Sequence, residues 1–163
     1  MTSFSIRPLH SADTEALLAF EVRNRQWFES QIDARAPGFY SPQGVAEHIE
    51  TYLAGFAAGT WHPLVIEDSQ GNIVGRANLK DIDPQQRCAE VGYRIDQQAC
   101  GQGLATLALQ QLIHEARLRW ALSHLVAYVY EDNIGSKKVL VRCGFSPSCN
   151  HSQGPESGFV LAL

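Results

Sequence analysis

A change of hydrophobic period around residues 96–104 limits most tightly what this chain can fold into. From Trp61 to Ile95 the apolar residues fall into three strand-length segments, whereas from Leu104 they recur at three- and four-residue steps through Leu109, Leu112, Ile113, Ala116 and Trp120. Between the two periods lies Gln98-Ala99-Cys100-Gly101-Gln102-Gly103-Leu104-Ala105, a loop with two glycines. The pattern demands a sheet that feeds a glycine loop and then a helix packed back on that sheet.

The strands expected before the loop are Trp61 to Glu67, Ile73 to Ile82 and Arg87 to Ile95. The first two are joined by Ser69-Gln70-Gly71-Asn72, a hairpin signal, so this region reads as an antiparallel meander. In the third strand Ala89, Val91, Tyr93 and Ile95 alternate with Cys88, Glu90, Gly92 and Arg94, which puts Glu90 on the face opposite the apolar set.

Outside this block, Phe4 to Pro8 reads as a short strand, and Ser11 as the N-cap of a helix running to about Phe28. Glu29 to Tyr40, with Pro37 and Gly38, reads as a covering loop. A second helix starts near Ser41 and Pro42 and buries Val45, Ile49, Tyr52, Leu53 and Phe56. Leu125 to Tyr130 is apolar enough to predict a strand buried on both faces. Asn133 to Cys143 predicts a last short helix ending at a left-handed Gly144, and Phe159 to Leu163 a closing strand. With 163 residues, 45% hydrophobic and 18% charged, and no linker or repeat, one domain over residues 1–163 is expected.

The two-glycine loop has a chemical reading. Without a Cβ, Gly101 and Gly103 admit backbone angles that let several amides converge on one anion, and the following helix N-terminus adds partial positive charge. Three other readings compete. A nucleotide-hydrolysing loop needs a Gly-Lys-Ser/Thr sequence that is absent. A dinucleotide fingerprint needs a third glycine where Thr106 stands, and the third reading is a bare turn that starts a helix.

Gln98, Gly101 and Gly103 match the Gln/Arg-x-x-Gly-x-Gly/Ala pattern of the acetyl-coenzyme A loop in the GNAT superfamily, and the chain resembles that family at a second place. Asn133-Ile134-Gly135-Ser136, with Gly144-Phe145 beyond it, is similar to the family's Asn-x-x-Ser helix and Gly-Phe corner. Ala89 to Ile95, together with Arg23 to Phe28 and Tyr40, resembles the branch that acetylates ribosomal-protein N-termini. The resemblance implies an α/β (α+β) GNAT fold: a mixed, mostly antiparallel sheet of about six to seven strands flanked by about four helices.

It also implies an acetyl-coenzyme A-dependent N-acetyltransferase acting by direct attack of a primary amine. The coenzyme would lie against Arg94 and Ile95, where the fourth and fifth strands of the family splay, against Gln98, Ala99, Cys100, Gly101, Gln102, Gly103, Leu104 and Ala105, and against Asn133 and Ser136. Lys137 or Lys138 would approach the 3′-phosphate unless both simply face solvent. Glu90 is the candidate base, the backbone amide near Tyr93 the oxyanion donor, and Ser136 the group beside the leaving thiolate. Many family members carry a tyrosine where Leu140 stands.

Each role has a plainer alternative: Glu90 paired with Arg76, Arg87 or Arg94, and Ser136 bonded to its own helix. A coenzyme A-binding module without transfer, and acetylation of a small polyamine or aminoglycoside, remain as other functions. The acceptor pocket is expected from the first two helices, the loop with Phe39 and Tyr40, and the C-terminal segment. That segment, Gly154 to Leu163, lacks the Trp-x-Asp pattern of the ribosomal-protein branch, so an N-terminal alanine or serine acceptor is a working expectation.

The formal charge of −4 and the absence of basic runs exclude a nucleic-acid footprint and favour a cationic or neutral partner. No signal segment or span of about 20 apolar residues occurs, which points to a cytoplasmic protein. Cys88, Cys100, Cys143 and Cys149 lack C-x-x-C spacing, so no disulfide is expected. His10, His48, His62, His114, His124 and His151 lack ligand spacing, and no metal is expected. No serine sits in a G-x-S-x-G elbow. The oligomeric state is expected to be monomer or homodimer.

Overall fold

The computed structural model describes residues 3–148 and 156–163, and Cys149, His151 and Gly154 lie outside them. The chain runs β1 (Phe4–Pro8), α1 (Thr14–Arg23), α2 (Arg25–Glu29), α3 (Pro42–Ala58), β2 (His62–Asp68), β3 (Ile73–Asp83), β4 (Cys88–Ile95), α4 (Leu104–Leu118), β5 (His124–Tyr130), α5 (Ile134–Arg142), β6 (Ser146–Pro147) and β7 (Glu156–Ala162). The strands form one seven-stranded sheet in the order β1-β2-β3-β4-β5-β7-β6. All neighbours pair antiparallel except β4 and β5. No helix among the described residues is long and apolar enough to cross a membrane.

Alternation along the strands divides the core in two. Leu64, Ile66, Ala77, Leu79, Ala89, Val91 and Ile95 pack against Leu104, Ala108, Leu109 and Leu112 of α4. Val65 and Ile73 instead join Leu17 and Phe20 of α1 and Val45 and Ile49 of α3. Each fully buried Leu, Ile or Phe contributes about 1.5–3 kcal/mol, so the helices are held on their two faces by the pattern read from sequence. Ser41 caps α3 by accepting from Gly44 N at 3.0 Å, with Pro42 at the first helical position.

The first helix is shorter than expected. It stops at Arg23, and α2 restarts at Arg25. The break is at Asn24, 2% exposed. Its Nδ2 donates to Phe20 O at 2.9 Å, and its Oδ1 accepts from Gln97 N at 3.0 Å. The asparagine side chain leaves the helix register to tie the helix end to the loop after β4.

Two further expectations are corrected. Trp120 lies past the end of α4, its Nε1 donating to His62 Nδ1 at 2.8 Å. β5 is not buried on both faces: Leu125 and Ala127 are buried, while Val126 and Tyr128 to Tyr130 are only partly so. Part of this strand borders a cleft rather than core.

Candidate active site

β4 and β5 are paired only at Cys88↔His124, Ala89↔Leu125 and Glu90↔Val126. β4 runs on to Ile95 and β5 to Tyr130 without further pairing to each other. Asp96 N donates to Val74 O at 2.9 Å. In an antiparallel ladder that fixes which residues exchange bonds, so even-numbered residues of β4 turn N–H and C=O to β3. Val91, Tyr93 and Ile95 therefore turn theirs to the gap. A cleft of about 860 Å³ fills it, lined by Val91 to Ile95 on one side and Ala127 to Tyr130 on the other.

At one end the cleft meets the glycine loop. Gly101 and Gly103 have φ of +83° and +77°, left-handed values, and a Cβ at either would meet nothing within 4 Å. Glycine is needed for backbone sign and not for space. The first bond of α4 runs from Leu107 N to Gly103 O, which leaves the amides of Leu104, Ala105 and Thr106 outside the helical ladder. These residues line the cleft with Ala99, Cys100, Gly101 and Gly103.

The first part of the loop is internally bonded. Gln98 N donates to Asp96 Oδ1, and Ala99 N to Asp96 O, both at 2.9 Å. Gln98 and Gln102 do not border the cleft, so of the Gln98 to Ala105 span read from sequence the cleft meets Ala99 to Gly101 and Gly103 to Ala105. Asp96 itself is buried and paired with Arg23 at 2.7 Å. Burial pushes the Asp96 carboxyl up, but bonds from Gln98 N and Arg23 outweigh this and hold it below its ordinary value.

On the α1 and α3 face, β3 and β4 juxtapose Arg76 with Arg94, Asn78 with Gly92, and Lys80 with Glu90. All six border the cleft. Lys80 Nζ lies 3.6 Å from Glu90 Oε1, so Glu90 has a cross-strand partner that is none of the three arginines proposed from sequence. Burial raises the Glu90 carboxyl above its ordinary value, with Lys80 opposing. Glu21, 1% exposed, meets Arg35 and Arg94 at 3.3 Å each.

Ser136 borders the cleft in the first turn of α5. Its N–H donates to Asn133 Oδ1 at 3.2 Å, and its carbonyl accepts from the Tyr93 hydroxyl at 3.4 Å. Asn133 is thus the cap of α5, and Tyr93 fastens that helix to β4. Burial raises the Tyr93 phenol. Lys137 is held by Glu131 at 3.0 Å, and neither Lys137 nor Lys138 borders the cleft. Leu140 is fully buried, so an apolar side chain occupies the place of the family's tyrosine.

The pocket near Glu90 is built from Trp27, Phe28, the loop residues Ser30 to Asp33, Arg35 and Tyr52. Phe39 and Tyr40 do not border it. They brace the loop instead, with Arg35 over the Phe39 ring at 4.4 Å and Arg25 over the Tyr40 ring at 4.1 Å. Asp33 of this loop accepts from the Tyr130 hydroxyl at the end of β5, closing the loop across the cleft. Sequence reasoning named Arg76 only as a possible partner of Glu90 and passed over Asn78, although Arg76, Asn78 and Lys80 alternate with apolar Ala77 and Leu79.

Comparison with known proteins bears on what such a cleft does. The acetyltransferase (GNAT) domain family matches residues 4–146. The chain is 28% identical over 142 residues to the probable N-acetyltransferase YjcK of Bacillus subtilis (strain 168), covering 86% of this chain and 78% of that protein. Its fold is similar to a ribosomal-protein-alanine acetyltransferase from Vibrio fischeri, with a TM-score of 0.90 at 20% identity over 98% of this chain and 92% of that one. It is also similar to a ribosomal-protein α-N-acetyltransferase solved with coenzyme A, with a TM-score of 0.88 at 20% identity over 99% and 94% of the two chains.

Proposed function

The chain belongs to the GNAT acetyltransferase family, and from that premise we propose that it uses acetyl-coenzyme A to acetylate a primary amine, with residues 1–163 acting as one domain. The observation that carries this reading is the early end of β4–β5 pairing at Glu90 and Val126, which turns the amides of Val91, Tyr93 and Ile95 to an open gap. That gap leads to the unpaired amides of Leu104, Ala105 and Thr106. Such a channel suits a ligand with an extended amide-bearing arm and a diphosphate.

The coenzyme supplies an acetyl group activated as a thioester. The chain's part is to bind, orient and move protons. Amides of Gly101 and of Gly103 to Thr106, at the positive end of α4, offer donors to the diphosphate. Tyr93 N–H is placed to donate to the carbonyl oxygen as negative charge builds on it. Glu90, raised by burial and bordering the cleft, takes the proton of the attacking amine directly or through water. As the amine nitrogen bonds to the acetyl carbon the C–S bond breaks, and the sulfur leaves as a thiolate that takes its proton from solvent; Ser136 orients the sulfur, since a serine hydroxyl is a weak acid and Leu140 brings no proton.

A peptide N-terminus is the favoured acceptor, because the two solved neighbours are named for ribosomal-protein acetylation. A small amine is the alternative. Buried Leu140 favours a second reading, a module that binds coenzyme A without transfer. Thiol release from acetyl-coenzyme A, measured with and without a panel of peptide and small amines, separates them. Amine-dependent release supports the transferase, and binding of the coenzyme with no release by any amine supports the module.

A further inference from the structure

Arg76 is 2% exposed, and its Nε and Nη2 have no hydrogen-bond partner. Only Nη1 is engaged, 2.9 Å from His48 Nε2. His48 is the acceptor of that bond, since burial and the neighbouring arginines push its imidazole down to about 2 and keep it neutral. The Tyr52 ring covers the guanidinium at 5.1 Å. Burying two unpaired donors of a charged fork is costly, and such donors in native proteins are completed by a water, an ion or a ligand.

The surroundings specify the ligand's charge. Arg76 stands opposite Arg94 on the cleft floor, and Arg35 comes down from the covering loop. Burial depresses the Arg94 guanidinium, and the nearby positive charges of Arg35 and Arg76 depress it further. One carboxylate, Glu21, answers them, already shared between Arg35 and Arg94. The chain as a whole is negative, yet three guanidiniums gather here, and among the described residues Glu21 is the carboxylate paired with two of them.

We propose that the cleft floor at Arg76 and Arg94 is an oxyanion subsite, and that the amine acceptor carries a carboxylate there. The inference rests on the transferase reading and deepens it. Arg76 and Arg94 lie two strand positions, a rise of about 7 Å, from Asn78 and Gly92 and four positions from Glu90, so the carboxylate stands on the far side of Asn78 from the proposed base. The buried Asn78 Oδ1, also unpartnered, is within the same row as an acceptor for the substrate's N–H. Two sources carry this chemistry: a peptide N-terminus with an acidic residue at its second position, and a free acidic amino acid.

Calorimetry on the full chain, alone and loaded with coenzyme A, reads the preference without requiring turnover. The probes are two tetrapeptides that differ only in Glu or Gln at the second position, and free glutamate against free glutamine. The acidic member of at least one pair is expected to bind about tenfold more tightly, the size of one charge-assisted bond pair. Preference confined to the peptides identifies an acidic N-terminus, and preference confined to the amino acids a free amino acid. Equal affinities in both pairs, or no binding by either acid, overturns the proposal.

In Arg76→Met the preference is expected to shrink to about twofold or less, and Arg76→Lys, which keeps charge but not the fork, to restore part of it. The coenzyme titration checks that these variants are folded; should Arg76→Met not fold, the wild-type pairs decide. Thiol release with the same four probes separates this inference from its premise. Release without acid preference sinks the subsite and leaves the transferase, and tighter binding of the acid without release does the reverse.

Discussion

The role proposed for Glu90 rests on what its neighbours do to one side chain. A carboxylate on an exposed strand titrates too low to take a proton from an ammonium-derived amine efficiently, but burial lifts this one while Lys80 at 3.6 Å pulls it back. Glu90→Gln is expected to lower turnover about 100-fold or more and to remove the acidic limb of the pH-rate profile; an unchanged profile removes Glu90 from the mechanism. Lys80→Met deletes the charge that lowers the Glu90 pKa, so its acidic limb is expected to move to higher pH. Strand alternation was enough to put Glu90 on the face opposite the apolar set, and the resemblance suggested its role. Its true partner was not legible, because cross-strand register depends on the bulge between Lys80 and Asp83, which no period reveals. Arg76 was hidden for a related reason: an arginine in a strand reads as surface until the helix that covers it is known.

At the scale of elements, the loop between β4 and α4 is held from below as much as it is shaped by glycine. Gly103→Ala is expected to cost about 1–2 kcal/mol through its left-handed backbone alone, since a Cβ there meets nothing. Gly103→Asn is expected to lose less, and urea midpoints at constant slope read both. Asn24→Ala deletes the bonds to Phe20 O and Gln97 N. A loss of about 1–3 kcal/mol is expected, with weaker coenzyme binding because the loop loses its anchor to α1. The change of period at residues 96–104 was enough to place this loop and α4. The break at Asn24 was not legible, because its cause is a partner 73 residues away. Nor was the partial exposure of β5, whose apolar run reads as core although half of it lines a cleft.

For the molecule as a whole, several buried groups make stability fall toward acid. His48 has an ordinary value of 6.5 and is pushed down to about 2, so below about 6.5 the unfolded chain takes up a proton that the folded chain refuses. Asp13 and Asp96 are also depressed and add to the loss below the ordinary carboxylate range. The urea midpoint is therefore expected to drop between pH 7.5 and pH 5, and His48→Gln to remove part of that drop, the remainder coming from His62, which burial also pushes down; a midpoint independent of pH would show that both histidines titrate normally. The two-faced core, the sheet order and the covering loop all serve one feature, the gap where β4 and β5 part. Titration of coenzyme A into nitrogen-15-labelled protein, read amide by amide, tests that feature most directly. The expected result is large shifts at Val91 to Ile95 and Gly101 to Thr106, with smaller ones at Gln97 to Ala99, whose amides are already bonded. No shifts, or shifts confined to another face of the sheet, would contradict the account.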